Sequence, residues 1–328
     1  MKLYANVRNG GFIFRMHTIS VVIPTYNEEL NIPLVYERVT KLFLDELVDY
    51  DYRILFVDNY SQDNSRKIIR ELAGKDEKVQ YIFYVRNFGF SKSTFYGLTQ
   101  AEGDCAVLLF ADLQDPPELI KDFIDKWEEG HKVVVGIKQE SEENFILYRI
   151  RTFYYRLMKK ISSIDHIEHF TGFGLYDRTV LDLLKSLSDS LPYLRGVIAE
   201  LAPDCESVYY KQEKRKYGKT NFNFYRLYDV AMLGITSYSK VFMRLATFLG
   251  MGVSFFSFIV AIVTFILKIS GLVDYPLGSA AVIFGVYFIG GVILFFMGIL
   301  GEYIQNINIR SMNHPIVVEA ERGNFNKD

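Results

Sequence analysis

An alternation of short apolar runs with segments of helical length occupies the first 140 residues and restricts the fold more than any other feature. Five runs read as strands, namely Ile19–Ile23, Arg53–Val57, Val79–Tyr84, Cys105–Phe110 and Lys132–Ile137. Between them lie four helix candidates, at Leu30–Leu44, Ser65–Ala73, Ser91–Ala101 and Pro117–Glu128. This rhythm is typical of βαβ units, so we expect an α/β fold built on a mostly parallel sheet.

The fourth apolar run breaks abruptly into polar residues. Phe110 is followed within five residues by Asp112, Gln114 and Asp115, and then by two prolines. A buried parallel strand cannot hold charge, so these side chains are expected to emerge at its C-terminal end, where open α/β sheets bind ligands. Carboxylate and amide oxygens suit a hard divalent cation bound to phosphate. The stretch therefore predicts a phosphate–metal site.

The three preceding strands also end in polar or aromatic residues. These are Pro24, Tyr26 and Glu28 after the first strand, Asp58 and Asp63 after the second, and Arg86 after the third. An aromatic ring with nearby acceptors can hold a nucleobase and ribose. Each motif alone is also explained by helix capping, which Asp63 or Ser61 could provide. Together, along one rim, they predict a nucleotide–metal crevice.

Two long segments in the last third of the chain contain no charged residue. They are Leu245–Leu267 and Leu277–Leu300, joined by a short linker. As helices each would span about 35 Å, enough for a bilayer core of about 30 Å. Two buried core helices are the alternative, which this length disfavours. We expect a transmembrane hairpin.

The distribution of basic residues predicts the orientation of this hairpin. Lys240 and Arg244 precede the first segment and Arg310 follows the second, whereas the linker carries only Lys268. The positive-inside rule then puts the soluble domain and both termini in the cytoplasm, on a multi-pass protein of the inner membrane. Two cysteines at unrelated spacing, Cys105 and Cys205, indicate free thiols in a reducing compartment. The net charge of −2 gives no reason to expect a nucleic-acid partner.

The remaining segments complete a domain plan. Helical spacing of apolar residues in 222–243 predicts amphipathic helices on the membrane surface, although packing on the soluble domain would give the same pattern. The basic loop Lys211–Lys219 is expected to meet anionic phosphate. The plan is an N-terminal extension (1–17), a catalytic domain (18–221), juxtamembrane helices (222–243), two transmembrane helices (244–303) and a cytoplasmic tail (304–328).

With these motifs in order, the chain resembles the family 2 glycosyltransferases that load a sugar onto polyprenyl phosphate. It is similar to the branch of dolichyl-phosphate mannose synthase and bacteriophage-type bactoprenol glucosyltransferase. The motifs that carry the resemblance are Ala111–Glu118, Val22–Glu29, Arg86–Gly89, Leu194–Gly196, Gly234–Ser239 and Arg244–Thr247. The resemblance implies a GT-A fold, a nucleotide-sugar donor with a UDP-sugar favoured, Mg²⁺ or Mn²⁺, a polyprenyl phosphate acceptor, inversion at the anomeric carbon and a homo-oligomer.

The resemblance also implies roles for individual residues. Pro24, Tyr26, Glu28 and Asp58 would hold the nucleotide, together with Asp63 and Arg86 at the same rim. Asp112 and Gln114 would ligate the metal, with Asp115 beside them in the catalytic set. Arg195 and Arg215 would face the phosphates of donor or acceptor.

Three departures from the family pattern stand out. Phe110 occupies the position of a further metal-motif aspartate, so metal binding rests on Asp112, Gln114 and the diphosphate. The usual Asp-Asp-Gly-Ser is here Asp58-Asn59-Tyr60-Ser61, and the usual Ser-Lys after the glycine is Lys219-Thr220-Asn221.

Three alternatives are weighed against this function. A processive polysaccharide synthase would carry a Gln-x-x-Arg-Trp element, but Trp127 is the only tryptophan and follows Lys126. A non-catalytic scaffold would explain Phe110, yet Asp112, Gln114 and Asp115 are retained. A transferase acting on another lipid acceptor would need a general base, for which His169 and Asp177 are the candidates.

Overall fold

The computed structural model describes residues 4–8, 11–140, 156, 162, 164, 167–187, 189–202, 204–213, 217, 232–239, 241–270, 279–312 and 314–325. The strands are β1 (Tyr4–Arg8), β2 (Gly11–Arg15), β3 (Thr18–Thr25), β4 (Asp51–Asp58), β5 (Val79–Tyr84), β6 (Cys105–Leu108), β7 (Val133–Glu140), β8 (Phe170–Asp177), β9 (Glu206–Lys211) and β10 (Glu319–Gly323). The helices are α1 (Ile32–Asp45), α2 (Ser65–Ala73), α3 (Phe90–Gln100), α4 (Leu119–Glu128), α5 (Arg178–Ser186), α6 (Leu194–Leu201), α7 (Val241–Ile269) and α8 (Ser279–Ser311).

Eight strands form one sheet in the order β10-β5-β4-β3-β6-β8-β7-β9, while β1 and β2 pair only with each other. The strands β5, β4, β3 and β6 run parallel, as do β7 and β9. Strand β8 runs antiparallel to β6 and β7, and β10 runs antiparallel to β5. The predicted α/β fold with a mostly parallel sheet is confirmed, and each of the five predicted strands lies in this sheet.

The sheet is buried on both faces because helices cover each side. Alternate residues of β3 show the division: Val21 joins the layer under α1, α2 and α4, and Val22 joins the layer under α3, α5 and α6. Helix α3 lies so close to the sheet that a Cβ on Gly97 would come within 2.9 Å of Val57. Both faces being covered explains why the strands are continuous apolar runs.

The chain returns to this sheet after its last helix. Val317 is buried in the layer under α3, and the Val85 N–H donates to the Val318 carbonyl at 3.1 Å. Strand β10 then pairs with the edge of β5, and Glu321 forms an ion pair with Arg70 at 2.6 Å. Residues 304–328 were expected to form a tail, and the sequence analysis did not predict this strand.

The two long apolar segments form helices, α7 and α8. Among the described residues, one helical segment, Ile289–Ser311, is long and apolar enough to cross a membrane, and none of its most apolar window is buried within the protein. Leu294 is 70% exposed on α8, and Phe248 is 69% exposed on α7. Large apolar surface of this kind indicates membrane association. The second span and the hairpin remain predictions, as does the amphipathic segment 222–243, where only 232–239 and 241–243 are described.

Candidate functional site

Strands β3, β4, β5 and β6 end along one edge of the sheet. Thr25, the last residue of β3, pairs with Asp58, the last residue of β4, and Asp58 in turn pairs with Phe83 of β5. On the other side, Val22 of β3 pairs with Leu108 at the end of β6. The polar residues that follow these strands therefore open onto a common rim, as the sequence predicts.

The turns after β3 and β4 are bonded to each other. Asn27 adopts a left-handed conformation (φ +57°), and its N–H donates to Ser61 Oγ at 2.8 Å. Both oxygens of Asp63 accept backbone N–H groups, from Glu29 at 3.2 Å and from Ser65 at 3.0 Å. Asp63, predicted to bind the nucleotide, thus joins the two turns, a role close to the capping alternative.

Asp58 has an arrangement that suits a ligand-binding carboxylate. It is fully buried, and its Oδ1 accepts from the Ser61 N–H at 3.0 Å and from Arg66 Nε at 2.5 Å. Its Oδ2 is buried without a hydrogen-bond partner among the residues that the structure describes. Buried polar atoms are normally satisfied, so this oxygen is an acceptor available to a ligand N–H or O–H.

Asn59 links the ends of β4 and β5, a role that the sequence analysis did not assign. Its Nδ2 donates to Asn87 Oδ1 at 3.1 Å, while its own Oδ1 accepts from the Phe88 N–H at 2.9 Å. A carboxylate could not donate to Asn87 Oδ1. This contact therefore explains why Asn59 stands where the family pattern has a second aspartate. Next to this link, the exposed Arg86 guanidinium lies 4.2 Å from the ring centroid of Phe88.

The predicted residues after β3 lie on the same rim. Pro24 pairs with Val57 near the end of the strand, and Pro24, Tyr26 and Glu28 are all partly exposed. Glu28 Oε2 accepts from Asn31 Nδ2 at 2.6 Å, at the start of α1.

The loop after β6 separates its three predicted residues into two environments. Asp112 and Gln114 are partly exposed, and the Gln114 N–H donates to Asp112 Oδ1 at 3.3 Å around the left-handed Leu113 (φ +55°). Asp115 is only 2% exposed; its Oδ1 accepts from Tyr210 Oη at 2.5 Å and lies 3.8 Å from Lys138 Nζ.

Burial raises the pKa of the Asp115 carboxyl, and the nearby Lys138 ammonium counteracts this rise. Burial and the charge of Asp115 likewise raise the pKa of the Tyr210 hydroxyl, which keeps it a hydrogen-bond donor. Asp115 therefore ties the loop after β6 to β9 and β7. Neither Tyr210 nor Lys138 was assigned a role from the sequence, because no local signal marks a contact across such a distance in the chain.

The oxygen-bearing side chains in the loop after β6 fit a divalent cation that takes its remaining ligands from a phosphate group. The described residues contain no group of three His, Cys, Asp or Glu side chains that could hold a metal ion by themselves. Asp112 and Gln114 offer two partly exposed oxygen-bearing side chains beside one another. Mg²⁺ is commonly bound in this way, by one or two carboxylates with the remaining positions filled by water and substrate phosphate.

The basic loop approaches the same site through its first residues. The Glu213 N–H donates to the Gln114 carbonyl at 2.9 Å, and Arg38 forms ion pairs with both Glu118 and Glu213, at 2.6 and 3.2 Å. Residue 213 is therefore fixed beside the loop after β6, two residues before Arg215. Arg215 itself lies outside the described residues.

The predicted residues on β8 and α6 lie at the other side of β6. A Cβ on Gly172 would lie 3.6 Å from Leu194 and 3.8 Å from Phe110, so the start of α6 packs near the end of β6. The Arg195 guanidinium lies 5.4 Å from the ring centroid of Tyr193. His169 adopts a left-handed conformation (φ +59°) directly before β8.

The chain is similar to known glycosyltransferases over nearly its whole length. The chain is 31% identical over 310 residues to the putative glycosyltransferase CsbB of Bacillus subtilis, covering 94% of this chain and 93% of that protein. It is 32% identical to the SfII prophage-derived bactoprenol glucosyl transferase of Shigella flexneri, covering 93% and 99%. A solved glucosyl-3-phosphoglycerate synthase from Mycobacterium tuberculosis is 21% identical, with a TM-score of 0.49 over 67% of this chain and 78% of that one.

A family model described as glycosyl transferase family 2 matches residues 20–184, which is half of the chain. The matched region contains most of β3, all of β4 to β8, and the ends of β3, β4, β5 and β6 that form the rim. Together with the mostly parallel sheet, the match supports a GT-A-like fold. The chain is a glycosyltransferase and belongs to glycosyl transferase family 2.

Proposed function

We propose that this protein transfers a sugar from a nucleotide diphosphate sugar to polyprenyl phosphate, at the cytoplasmic face of the inner membrane. The proposal rests on the rim at the ends of β4 and β6, the strands on either side of β3. Asp58 ends β4, and its buried Oδ2 has no hydrogen-bond partner within the described part of the chain. Asp112 follows β6 and is partly exposed. An acceptor for the nucleoside and a carboxylate for the phosphate–metal end suit an extended nucleotide-sugar. Relatives named bactoprenol glucosyl transferase support the lipid acceptor, and UDP is the favoured nucleotide.

Different residues of the rim hold different parts of the nucleotide-sugar donor. The nucleoside is held by Asp58, by Pro24, Tyr26 and Glu28 after β3, and by Arg86 after β5. Asp112 and Gln114 would hold Mg²⁺ or Mn²⁺ at the diphosphate end, and the ion when bound would neutralise the charge that develops as the nucleoside diphosphate leaves. Asp115 keeps the loop that carries Asp112 attached to β9 and β7, so the carboxylate is held in place before the donor arrives.

A phosphate acceptor removes the need for a general base in the protein. A phosphate monoester has a second pKa of about 6 and is already a competent oxygen nucleophile at neutral pH. The protein then needs to orient that oxygen and screen its charge rather than remove a proton. Arg195 and Arg215 are proposed for this task, because a guanidinium binds phosphate through two parallel hydrogen bonds.

The contacts between the helices and the domain support a transmembrane hairpin. Tyr303 Oη, near the end of α8, donates to the carbonyl of Ser239, just before α7 begins, at 2.5 Å. Arg310 pairs with Asp189 of the domain at 3.2 Å. The start of α7 and the end of α8 thus lie close to the domain. This closeness supports a hairpin in which the chain crosses the membrane and returns, with the domain and both termini in the cytoplasm. Association into a homo-oligomer is part of the proposal.

The decisive experiment is direct transfer by purified protein in detergent. The protein is incubated with polyprenyl phosphate, Mg²⁺ or Mn²⁺ and a panel of nucleotide sugars, and lipid-linked product is identified by mass. We expect one sugar on the lipid phosphate, with no product in EDTA. Multi-angle light scattering on the same preparation measures the oligomeric state.

A matched pair of variants tests the metal assignment. D112N is expected to lose at least about two orders of magnitude in rate, because a preorganised charge at the leaving group is removed. D122N makes the same change on the exposed first turn of α4 and is expected to retain activity. Near-normal turnover of D112N would contradict the metal role, and a folded wild-type protein that forms no product with any donor would contradict the function.

A further inference from the structure

Tyr60 holds a backbone conformation that bulky residues rarely adopt. It follows Asn59 at the end of β4, and its φ of +71° lies in the left-handed region that favours glycine. Outliers of this kind persist where the surrounding structure holds them, and they concentrate at functional sites. The position therefore carries a cost that an ordinary turn residue, such as glycine, would not incur.

The side chain of Tyr60 lies outside the apolar core of the fold. The residue is 40% exposed and belongs to neither of the two apolar layers that enclose the sheet. Within the described part of the chain its hydroxyl has no hydrogen-bond partner, and its one hydrogen bond, from Gln62 Nε2 at 3.1 Å, goes to the backbone carbonyl. Any residue at this position could accept that bond, so the hydrogen bond does not explain why the residue is aromatic.

The ring does have one specific neighbour, Arg66, whose guanidinium lies 5.2 Å from the ring centroid of Tyr60. Arg66 is itself fixed, because its Nε donates to Asp58 Oδ1 and its Nη2 donates to the Tyr84 carbonyl at 2.6 Å. The guanidinium also lies 5.2 Å from the ring centroid of Phe83. Tyr60 is therefore an exposed aromatic ring supported by an immobilised cation that also bonds Asp58.

The same guanidinium connects the ring to a carboxylate that has an acceptor without a donor. Asp58 Oδ2 is buried and unpartnered among the described residues, and Asp58 shares Arg66 with Tyr60. An aromatic face and a directional acceptor, both held by Arg66, match the two ways in which proteins hold a nucleobase, by stacking on its face and by hydrogen bonding to its edge.

We propose that Tyr60 is the stacking platform for the nucleobase of the donor. Arg66 supports the ring and orients Asp58, and Asp58 Oδ2 accepts a hydrogen bond from the base or from the ribose. The inference rests on the proposed function, since it requires a nucleoside diphosphate at this rim. Stacking tolerates any base, so the platform supplies affinity, whereas Asp58 supplies selectivity.

Binding measurements separate a platform from a structural residue. Isothermal titration with UDP and with GDP, in the presence of Mn²⁺, is compared among wild type, Y60G, Y60N and Y60F. Glycine and asparagine accept the left-handed conformation but lack the large ring, so Y60G and Y60N are expected to keep or raise the melting temperature while weakening UDP binding roughly tenfold. Y60F keeps the ring and is expected to bind UDP with the affinity of the wild type.

Pyrophosphate provides the control without a base. Its affinity, measured with Mn²⁺, is expected to be equal in wild type and Y60G, because stacking contributes nothing to a ligand that has no ring. Wild-type affinity of Y60G for UDP would overturn the platform, and so would an equal loss for UDP and pyrophosphate or a lowered melting temperature. If wild type binds neither UDP nor GDP, the donor assignment fails together with the platform, so the two failures are distinguishable.

Discussion

Replacing Asp177 with asparagine is expected to reduce stability while leaving catalysis intact. Asp177 ends β8 and caps α5: its Oδ1 accepts from the Thr179 N–H at 3.0 Å and from Lys132 Nζ at 3.1 Å. Its Oδ2 accepts from Trp127 Nε1 at 2.8 Å. Both oxygens of this nearly buried carboxylate are therefore engaged in holding β8, α5 and α4 together. This geometry argues against Asp177 as the general base that a transferase using another lipid acceptor would need.

The size of the effect follows from the donors around the carboxylate. An asparagine can still accept from Thr179 through its single oxygen, but its amide group then faces the Trp127 N–H, donor against donor. Leaving a buried donor unsatisfied costs about 1–3 kcal/mol. For a domain of this size each kcal/mol lowers the melting temperature by about 2–4 °C, so D177N is expected to melt about 2–12 °C below wild type.

The pH dependence gives an independent check. Burial alone would raise the pKa of the Asp177 carboxyl, but the hydrogen bonds from Thr179, Trp127 and Lys132 outweigh it, and the pKa lies below its ordinary value of 3.8. A carboxyl whose folded-state pKa is lowered stabilises the fold above its ordinary pKa, and this contribution is lost as the pH falls through the folded value. The loss of stability in D177N relative to wild type is therefore expected to be complete at neutral pH and to become smaller below about pH 4.

The assay is thermal unfolding by circular dichroism in detergent, with sugar transfer measured well below the melting temperature. D182N is the matched control, because Asp182 is exposed on the same helix and, among the described residues, forms an ion pair with Arg178 alone, at 3.5 Å. An exposed pair of this kind contributes at most about 0.5 kcal/mol. A D177N protein that melts like D182N, or one that is folded but has lost transfer, would refute the reasoning.

Three further outcomes are expected. E321Q weakens the bidentate contact with Arg70 and should increase proteolysis of residues 317–325 without unfolding the domain. D58N presents a donor as well as an acceptor and should weaken UDP binding at least tenfold by calorimetry, corresponding to about 1.4 kcal/mol. S270C, at the end of α7, should react with a membrane-impermeant thiol reagent in intact cells, whereas K211C on β9 should react only after lysis.

The sheet could be predicted because its determinants are local. Each predicted strand is an apolar run that ends in polar residues, and a buried parallel strand leaves no alternative position for a carboxylate such as Asp112. The rim could be predicted for the same reason, since parallel strands present their carboxyl ends at one edge. Sequence reasoning thus found Asp58 and Asp112 without knowing how the strands were ordered.

The division of labour among the rim residues could not be predicted, because it depends on contacts between distant parts of the chain. Asp115 and Asp112 look equivalent in the sequence, yet Asp115 is buried against Tyr210, 95 residues away. Asp63 resembles a ligand, but its Oδ2 accepts from Glu29 in the turn after β3 and its Oδ1 accepts from Ser65 at the start of α2. Local patterns show which residues reach the edge of the sheet, whereas tertiary partners decide which of them remain available to a ligand.

Strand β10 is a stronger example, since Glu319–Gly323 lacks the β-branched and apolar residues that predict a strand. It forms because β5 offers an unpaired edge and because Arg70 and Tyr81 hold Glu321 there. Seven residues, 312–318, separate the end of α8 from the start of β10, and the eight Cα–Cα steps across them reach at most about 28 Å. The strand therefore limits how far the rim can move from the apolar helices, which suits the proposed transfer to an acceptor phosphate at the membrane surface.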